Sequence, residues 1–293
     1  MKLGVNTFIW SAEFTPAHLS LLPRIKEHGF DGVEVPLFDP TRFRAADIRA
    51  GMAANGLECT VCSIIPEDRS LISEDAEVRR RSRQHLRDAI EATAEAGAGL
   101  IDGPLYSPVG YLPGRRRTRD EWQWAVESYQ SVTEALDACD VTLAIEPLNR
   151  FETYFLNTAA DAAALCQEVA HPRVGVAFDT FHANIEEKDL AGACRHLGRH
   201  LKHVQISEND RGTPGSGHIP WTNLLRALRQ IGYDRWLTIE SFGPSLGAFS
   251  AAVAIWRDIE PTPDSIAFDG VRFLRKAIAS LQGSGEHAGR VTP

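Results

Sequence analysis

The chain has 293 residues, with 31 Lys and Arg against 39 Asp and Glu, so its formal net charge is −8. Hydrophobic residues make up 43% and charged residues 24%, a composition typical of globular proteins rather than disordered or fibrous ones. No apolar run reaches the roughly 18 residues that a membrane helix needs. The acidic balance argues against a nucleic-acid partner, which usually meets a basic face.

Eight short apolar runs divide the chain, and amphipathic stretches lie between them. Alternating strands and helices predict a parallel sheet, and eight such units predict an α/β fold, a single (β/α)8 TIM barrel. A doubly wound open sheet is the alternative, but no Gly-rich fingerprint follows the first run. The runs are Leu3–Ile9, Gly32–Pro36, Leu57–Ile65, Leu100–Leu105, Val141–Pro147, Val174–Asp179, Leu201–Ser207 and Trp236–Ser241.

The end of the chain predicts one last helix followed by a tail. Apolar residues recur there on one helical face, at Ala267, Val271, Leu274, Ile278 and Leu281. Residues 284–293 are polar and glycine-containing, which predicts a flexible C-terminal tail after a barrel that spans residues 1–283.

The five cysteines indicate the compartment. Their odd number, together with an N-terminus that has no signal-peptide pattern, predicts reduced thiols in a cytoplasmic protein. Cys59 and Cys62 form a C-x-x-C, but a zinc site needs a second pair and the sequence has none. Core packing is the better interpretation of both residues.

Carboxylates end three of the predicted strands. Glu146, Asp179 and Glu240 stand at equivalent places in runs five, six and eight. The strand ends of an α/β barrel converge on one face, so these groups would repel one another. Hard oxygen ligands of this kind suit Mn²⁺ or Mg²⁺, and a cation removes the repulsion. Separate Arg or Lys partners are the alternative.

A fourth ligand is expected from run seven. His203 and Gln205 have the same parity and therefore face the same side of the strand. Imidazole is the better ligand chemically, whereas Gln205 lies nearer the end of the strand where the chemistry collects. Both remain candidates on these grounds.

Segments along almost the whole chain resemble the sugar isomerase and epimerase barrels related to xylose isomerase, and within them the D-tagatose/D-psicose (ketose) 3-epimerases. The resemblance implies a metal-dependent enzyme of free ketoses, in which a divalent cation and two Glu acid/bases epimerise C3 through a metal-bound cis-enediolate. The segments are GFDGVEVPLF at 29–38, EPLNRFETYFLNT at 146–158, DTFHANIEE at 179–187, ISENDR at 206–211 with PGSG at 214–217, and IGYDRW with IESF between 231 and 242.

The resemblance also implies roles for individual residues. It places the metal, Mn²⁺ with Mg²⁺ or Co²⁺ as alternatives, on Glu146, Asp179, Gln205 and Glu240. It makes Glu146 and Glu240 the acid/base pair. It assigns substrate contacts to Glu152, His182 and Arg211, and implies a homo-oligomer, either dimer or tetramer. For Arg211 a surface ion pair with Glu208 or Asp210 is the alternative, and for His182 a supporting hydrogen bond.

One position departs from the family pattern, because Gln205 stands where the 3-epimerases have a metal-binding His. Dehydratases of the same superfamily are similar in using Gln. The sequence therefore leaves open a lyase, dehydratase or decarboxylase of an oxidised 3-oxo sugar or sugar acid. A DNA-repair endonuclease needs a His-rich site and a basic face, which this chain lacks. A non-catalytic barrel is the remaining alternative.

Further residues near strand ends are candidates for the site. Phe8 and Tyr106 are predicted walls for a sugar, and Glu34 is a predicted partner of a hydroxyl or a neighbouring ligand. The basic cluster at 114–119 reads either as a phosphate clamp or as a solvated loop, and the loop is favoured. The expected partner is thus a free sugar or sugar acid, with no nucleic acid and no membrane.

Overall fold

A computed structural model describes residues 1–243 and 248–283. Its eight strands are all parallel and form a closed barrel in chain order, with β8 pairing back onto β1. This confirms the predicted (β/α)8 architecture. The strands are β1 (Lys2–Asn6), β2 (Gly32–Leu37), β3 (Glu58–Ser63), β4 (Leu100–Gly103), β5 (Thr142–Ile145), β6 (Val174–Asp179), β7 (Leu201–Ile206) and β8 (Trp236–Ile239).

Helices surround the barrel and connect successive strands. They are α1 (Leu21–Glu27), α2 (Ala45–Asn55), α3 (Ala76–Glu95), α4 (Arg119–Gln130), α5 (Thr133–Cys139), α6 (Ala159–Val169), α7 (Thr180–Glu186), α8 (Leu190–Leu197), α9 (Trp221–Gln230), α10 (Ala248–Ala252) and α11 (Gly270–Gly283). Among the described residues, no helix combines the length and the apolar character that crossing a membrane requires.

The strand side chains alternate between an apolar outer layer and a partly polar interior. Val5, Val33 and Val61 are almost fully buried and belong to the core shared with the helices. On the opposite faces of their strands, Asn6 is aligned with Glu34, and Glu34 with Thr60. The same alternation places charged groups inside the barrel at the ends of the strands.

Two details differ from the sequence prediction. The first run ends as a strand at Asn6, and Thr7–Ile9 forms a 3-10 helix. Asn6 causes this turn, because its side chain accepts a hydrogen bond from the backbone N–H of Phe8. The last helix is confirmed at α11, but the residues before it, Ser265–Asp269, form a π-helical turn.

The predicted tail, residues 284–293, lies outside the described residues, and the extent of the barrel to residue 283 stays a prediction. All five cysteines carry free thiols. Burial raises the pKa of the Cys59 thiol to about 12, in keeping with a packing role.

Candidate metal and substrate site

A cavity of about 140 Å³ opens at the carboxyl end of the barrel. It continues outward into a groove of about 1060 Å³, which shares Phe38, Val109 and Arg211 with it. The residues around the inner cavity combine an acidic floor with aromatic and aliphatic walls. They include Phe8, Cys62, Glu146, His182, Gln205, Arg211, Glu240 and Phe242.

The structure brings together the three strand-end carboxylates that the sequence predicted. Glu146 directly follows β5, Asp179 ends β6, and Glu240 directly follows β8, each at most 6% exposed. Burial raises the pKa of Glu146 well above its ordinary value, and the negative charges of Glu240 and Asp179 raise it further. Burial likewise raises the pKa of Glu240 to about 8. Mutual repulsion of this kind is what a bound cation relieves.

Arg211 supplies a positive charge to the same cluster. Its Nη1 donates to Asp179 Oδ2 at 2.7 Å, to Glu240 Oε2 at 2.8 Å and to Ser207 Oγ at 2.7 Å. The residue is 5% exposed, so the alternative of a surface ion pair is wrong. Its backbone φ of 67° is unusual for a non-glycine residue, and such strain is commonly found at functional sites.

In β7, Gln205 lies among the carboxylates and Arg211, and His203 does not. Gln205 is aligned with Asp179 on one side and with Thr238 on the other. Its Nε2 donates to Glu240 Oε1 at 3.0 Å, whereas its Oε1 is buried without a hydrogen-bond partner among the described residues. His203 lies one layer deeper, where its Nε2 is 2.7 Å from Glu34 Oε2.

His182 and Glu152 lie on the side of the cavity formed after β5 and β6. His182 Nε2 is 3.6 Å from an oxygen of both Glu146 and Asp179, and its Nδ1 accepts a hydrogen bond from the backbone N–H of Asn149 at 3.2 Å. Burial lowers the pKa of His182, which favours the neutral imidazole. Glu152 accepts from Asn149 Nδ2 at 2.7 Å and lines both the cavity and the outer groove.

The three remaining predicted site residues have different positions. Phe8 lines the cavity and packs against Phe242, with ring centroids 5.6 Å apart. Tyr106 is 1% exposed and packs against Phe155 in the core, outside the cavity lining.

Glu34 lies fully buried in the barrel, below the cavity. Its Oε1 accepts from Asn6 Nδ2 at 3.0 Å, and its Oε2 accepts from Thr60 Oγ1 at 3.0 Å. Although burial acts to raise it, the pKa of Glu34 lies below its ordinary value, because His203 and these hydrogen bonds favour the carboxylate.

The structure adds contacts that the sequence did not indicate. Asn149 joins His182 to Glu152, and Asn6 joins Glu34 to Cys62 Sγ. The guanidinium carbon of Arg211 lies 4.2 Å from the ring centre of Phe181. Asn149 falls within the segment 146–158 that carries the family resemblance. Its position three residues from both Glu146 and Glu152 was the available signal.

The donor set fits a divalent cation. Carboxylate oxygens of Glu146 and Asp179 lie within 4.8 Å of each other and of a His182 nitrogen, all buried. The unpartnered Oε1 of Gln205 is a neutral oxygen ligand that otherwise carries a desolvation cost of about 1–3 kcal/mol. Glu146, Asp179, Gln205 and Glu240 together offer hard oxygen donors.

The basic loop forms no phosphate site at this cavity. Arg115 pairs with Glu121 at 2.8 Å, and Arg117 pairs with Asp161 at 2.9 Å. Neither arginine lines the cavity or the outer groove.

Comparison with known proteins defines the class of barrel. Residues 22–277 match the family model described as "Xylose isomerase-like TIM barrel". The chain belongs to this family.

Within it, the chain is similar to proteins named ketose 3-epimerases. It is 35% identical to "Probable ketose 3-epimerase" of Synechocystis sp., over 94% of this chain and 96% of the relative. It is 32% identical to a D-psicose 3-epimerase of Ruminiclostridium cellulolyticum, over 97% of each chain. The solved structure of an L-ribulose 3-epimerase superimposes with a TM-score of 0.93 at 29% identity, covering 100% of this chain and 99% of the other.

Proposed function

We propose that this protein is a divalent-metal-dependent epimerase that inverts C3 of a free ketose. The observation that carries the proposal is the buried cluster of Glu146, Asp179, Gln205 and Glu240 at the mouth of the barrel. Its relatives of similar length are named for epimerisation of psicose, ribulose and related ketoses.

Glu146, Asp179, Gln205 and Glu240 would hold the cation. A bound divalent cation acts as a Lewis acid that polarises a substrate carbonyl and makes the neighbouring C–H more acidic. We infer Mn²⁺ as the native ion, with Mg²⁺ or Co²⁺ as alternatives, since the donors are oxygen atoms.

Glu146 and Glu240 would perform the proton transfers. They follow β5 and β8, which are separated by two strands on one side of the barrel and by four on the other. One carboxylate takes the C3 proton as general base, and the other returns a proton to the opposite face of the enediolate.

The other residues would bind the sugar. Arg211 and His182 face the carboxylates and would meet substrate oxygens, and Glu152 would accept from a substrate hydroxyl. Phe8 forms part of the apolar wall. Arg115 and Arg117 of the basic loop pair with Glu121 and Asp161 outside the cavity, which supports an unphosphorylated substrate.

The proposal includes a cytoplasmic homo-oligomer, either dimer or tetramer, with a role in carbohydrate metabolism. The five free thiols support the location, and the resemblance to the epimerases supports the oligomer. Light scattering coupled to size-exclusion chromatography tests the subunit number, and a monomer would contradict it.

The test of the reaction is product analysis. The metal-loaded protein is incubated with a panel of free ketoses, and the products are separated by chromatography. The expected product is the C3 epimer of at least one ketose. Loss of water or CO₂ from a 3-oxo sugar or sugar acid, with no epimer formed, would favour the lyase that Gln205 also permits.

A further inference from the structure

A series of neighbouring polar side chains lies in the barrel directly beneath the proposed metal site. His203 Nε2 is 2.7 Å from Glu34 Oε2 and 4.0 Å from Asp102 Oδ1. Glu34 Oε1 in turn lies 3.4 Å from Gln205 Nε2. All four residues are at most 1% exposed, and the proposed reaction gives three of them no role.

The two oxygens of Glu34 are fixed on different sides. Oε1 accepts from Asn6 Nδ2 and faces Gln205, whereas Oε2 accepts from Thr60 Oγ1 and faces His203. Since partners contact both oxygens, the carboxylate is held in one orientation.

Gln205 differs from a carboxylate ligand because the two ends of its amide have opposite hydrogen-bonding character. Only the carbonyl oxygen can bind a cation, and only the NH₂ group can donate. Here Nε2 faces the oxygens of Glu34 and Glu240, at 3.4 and 3.0 Å, and Oε1 is left without a hydrogen-bond partner among the described residues. The reversed amide would place its oxygen against two carboxylates.

We propose that Glu34, held in place by Asn6 and Thr60, is a positioning residue that turns the Gln205 amide so that Oε1 faces the divalent cation. The inference rests on the proposed metal site and explains how a Gln serves there. It predicts that Glu34 controls metal affinity without contacting either the metal or the substrate.

The first experiment measures Mn²⁺ binding by electron paramagnetic resonance of the free ion. We expect Glu34→Leu to raise the Mn²⁺ Kd about tenfold or more, as is usual when a partner of a metal ligand is lost. Glu34→Gln should stay within about threefold, because a carboxamide can offer its oxygen to Asn6 and Gln205 and its NH₂ to Thr60 and His203. Glu208→Gln is the matched control: Glu208 is equally buried but bonds Trp221 and nearby backbone N–H groups.

The second experiment separates positioning from general support of the fold. A carboxylate at position 205 has two equivalent oxygens and needs no orienting, and Glu34 repels it. Glu34→Leu should therefore strengthen Mn²⁺ binding in the Gln205→Glu background, opposite to its effect in the native background. Where Glu34→Leu fails to fold, Glu34→Gln in the Gln205→Glu background should likewise strengthen binding.

The outcomes are distinguishable from those of the reaction test, since Mn²⁺ binding is measured without turnover. An unchanged Kd in folded Glu34→Leu would overturn the inference, and so would equal weakening in both backgrounds. Absence of Mn²⁺ binding to the parent chain would overturn both the metal site and the positioning role. Mn²⁺ binding without epimerisation would count against the reaction only.

Discussion

Among single residues, Glu240 allows the most direct test by mutation. It is buried, its pKa is raised to about 8, and it accepts hydrogen bonds from Arg211 and Gln205. We expect Glu240→Gln to lower kcat by about 10²–10⁴-fold, since a carboxamide transfers no proton. Steady-state kinetics at saturating Mn²⁺ checks this, and full turnover with metal bound would contradict the assignment.

A second prediction concerns the metal preference that Gln205 determines. An imidazole prefers softer ions than an amide oxygen does, so Gln205→His should improve binding of Co²⁺ relative to Mg²⁺ by about tenfold. Competition titrations of the parent and variant measure the ratio. An unchanged ratio would show that position 205 is not a ligand.

The sequence predicted these residues unevenly. Glu146, Asp179 and Glu240 were found because charges at the ends of apolar strands are costly without a partner. The residues alone left His203 and Gln205 open, because ligand chemistry favoured the imidazole and strand depth favoured the amide. The alignment of Gln205 with Asp179 in the structure supports strand depth. Asn149 acts through contacts to residues distant in sequence, such as His182, and periodicity carries no signal for such contacts.

At the level of secondary-structure elements, the close contact between the ends of β3 and β4 positions Glu146. Gly103 ends β4 with φ of 131°, and a Cβ there would lie 2.0 Å from the carbonyl oxygen of Ser63. The carbonyl oxygen of Gly103 accepts a hydrogen bond from the backbone N–H of Glu146 at 2.9 Å.

We therefore expect Gly103→Ala to cost more than about 3 kcal/mol of unfolding free energy and to reduce activity in the molecules that remain folded. Urea unfolding measures the first effect. Gly110→Ala is the control, because a Cβ at that positive φ meets no atom within 4 Å. Equal losses in the two variants would contradict the contact with Ser63.

At the start of α4, Glu121 should stabilise the fold in a pH-dependent way. Glu121 accepts from Arg115, from the backbone N–H of Thr118 and from Tyr154. Although burial acts to raise it, these contacts lower the pKa of Glu121 to about 2. The stabilisation is thus complete above the ordinary carboxyl pKa of 4.5 and is lost as the pH falls toward 2.

Glu121→Gln should cost about 2 kcal/mol at pH 7. The difference from the parent should shrink at pH 3, since protonation weakens the same contacts. Urea unfolding of both proteins at the two pH values measures it. A difference that is equal at pH 3 and pH 7 would show that the charge of Glu121 contributes nothing.

At the scale of the whole molecule, the barrel was predicted more securely than its site. Eight apolar runs with helical stretches between them leave few topologies, and the strand order follows directly. The position of Tyr106 was not predictable in the same way. It follows β4 closely, yet packing against Phe155 buries it in the core, and packing partners are not visible in a single sequence.

Metal binding should also stabilise the whole chain, because the cation neutralises carboxylates that repel one another only in the folded barrel. At a free Mn²⁺ concentration one hundred times Kd, we expect about 2.7 kcal/mol of added stability. Thermal unfolding with Mn²⁺ and after chelation measures the shift in Tm. An identical Tm in both conditions would contradict a metal site in the folded protein.

The proposed reaction is a proton transfer at C3 that uses two carboxylates on different sides of the site. The most direct measurement is epimerisation in D₂O, with the position of deuterium in the recovered ketoses determined by NMR. We expect deuterium at C3 of the epimerised product. Epimer formed without deuterium at C3, or deuterium at another carbon only, would contradict it.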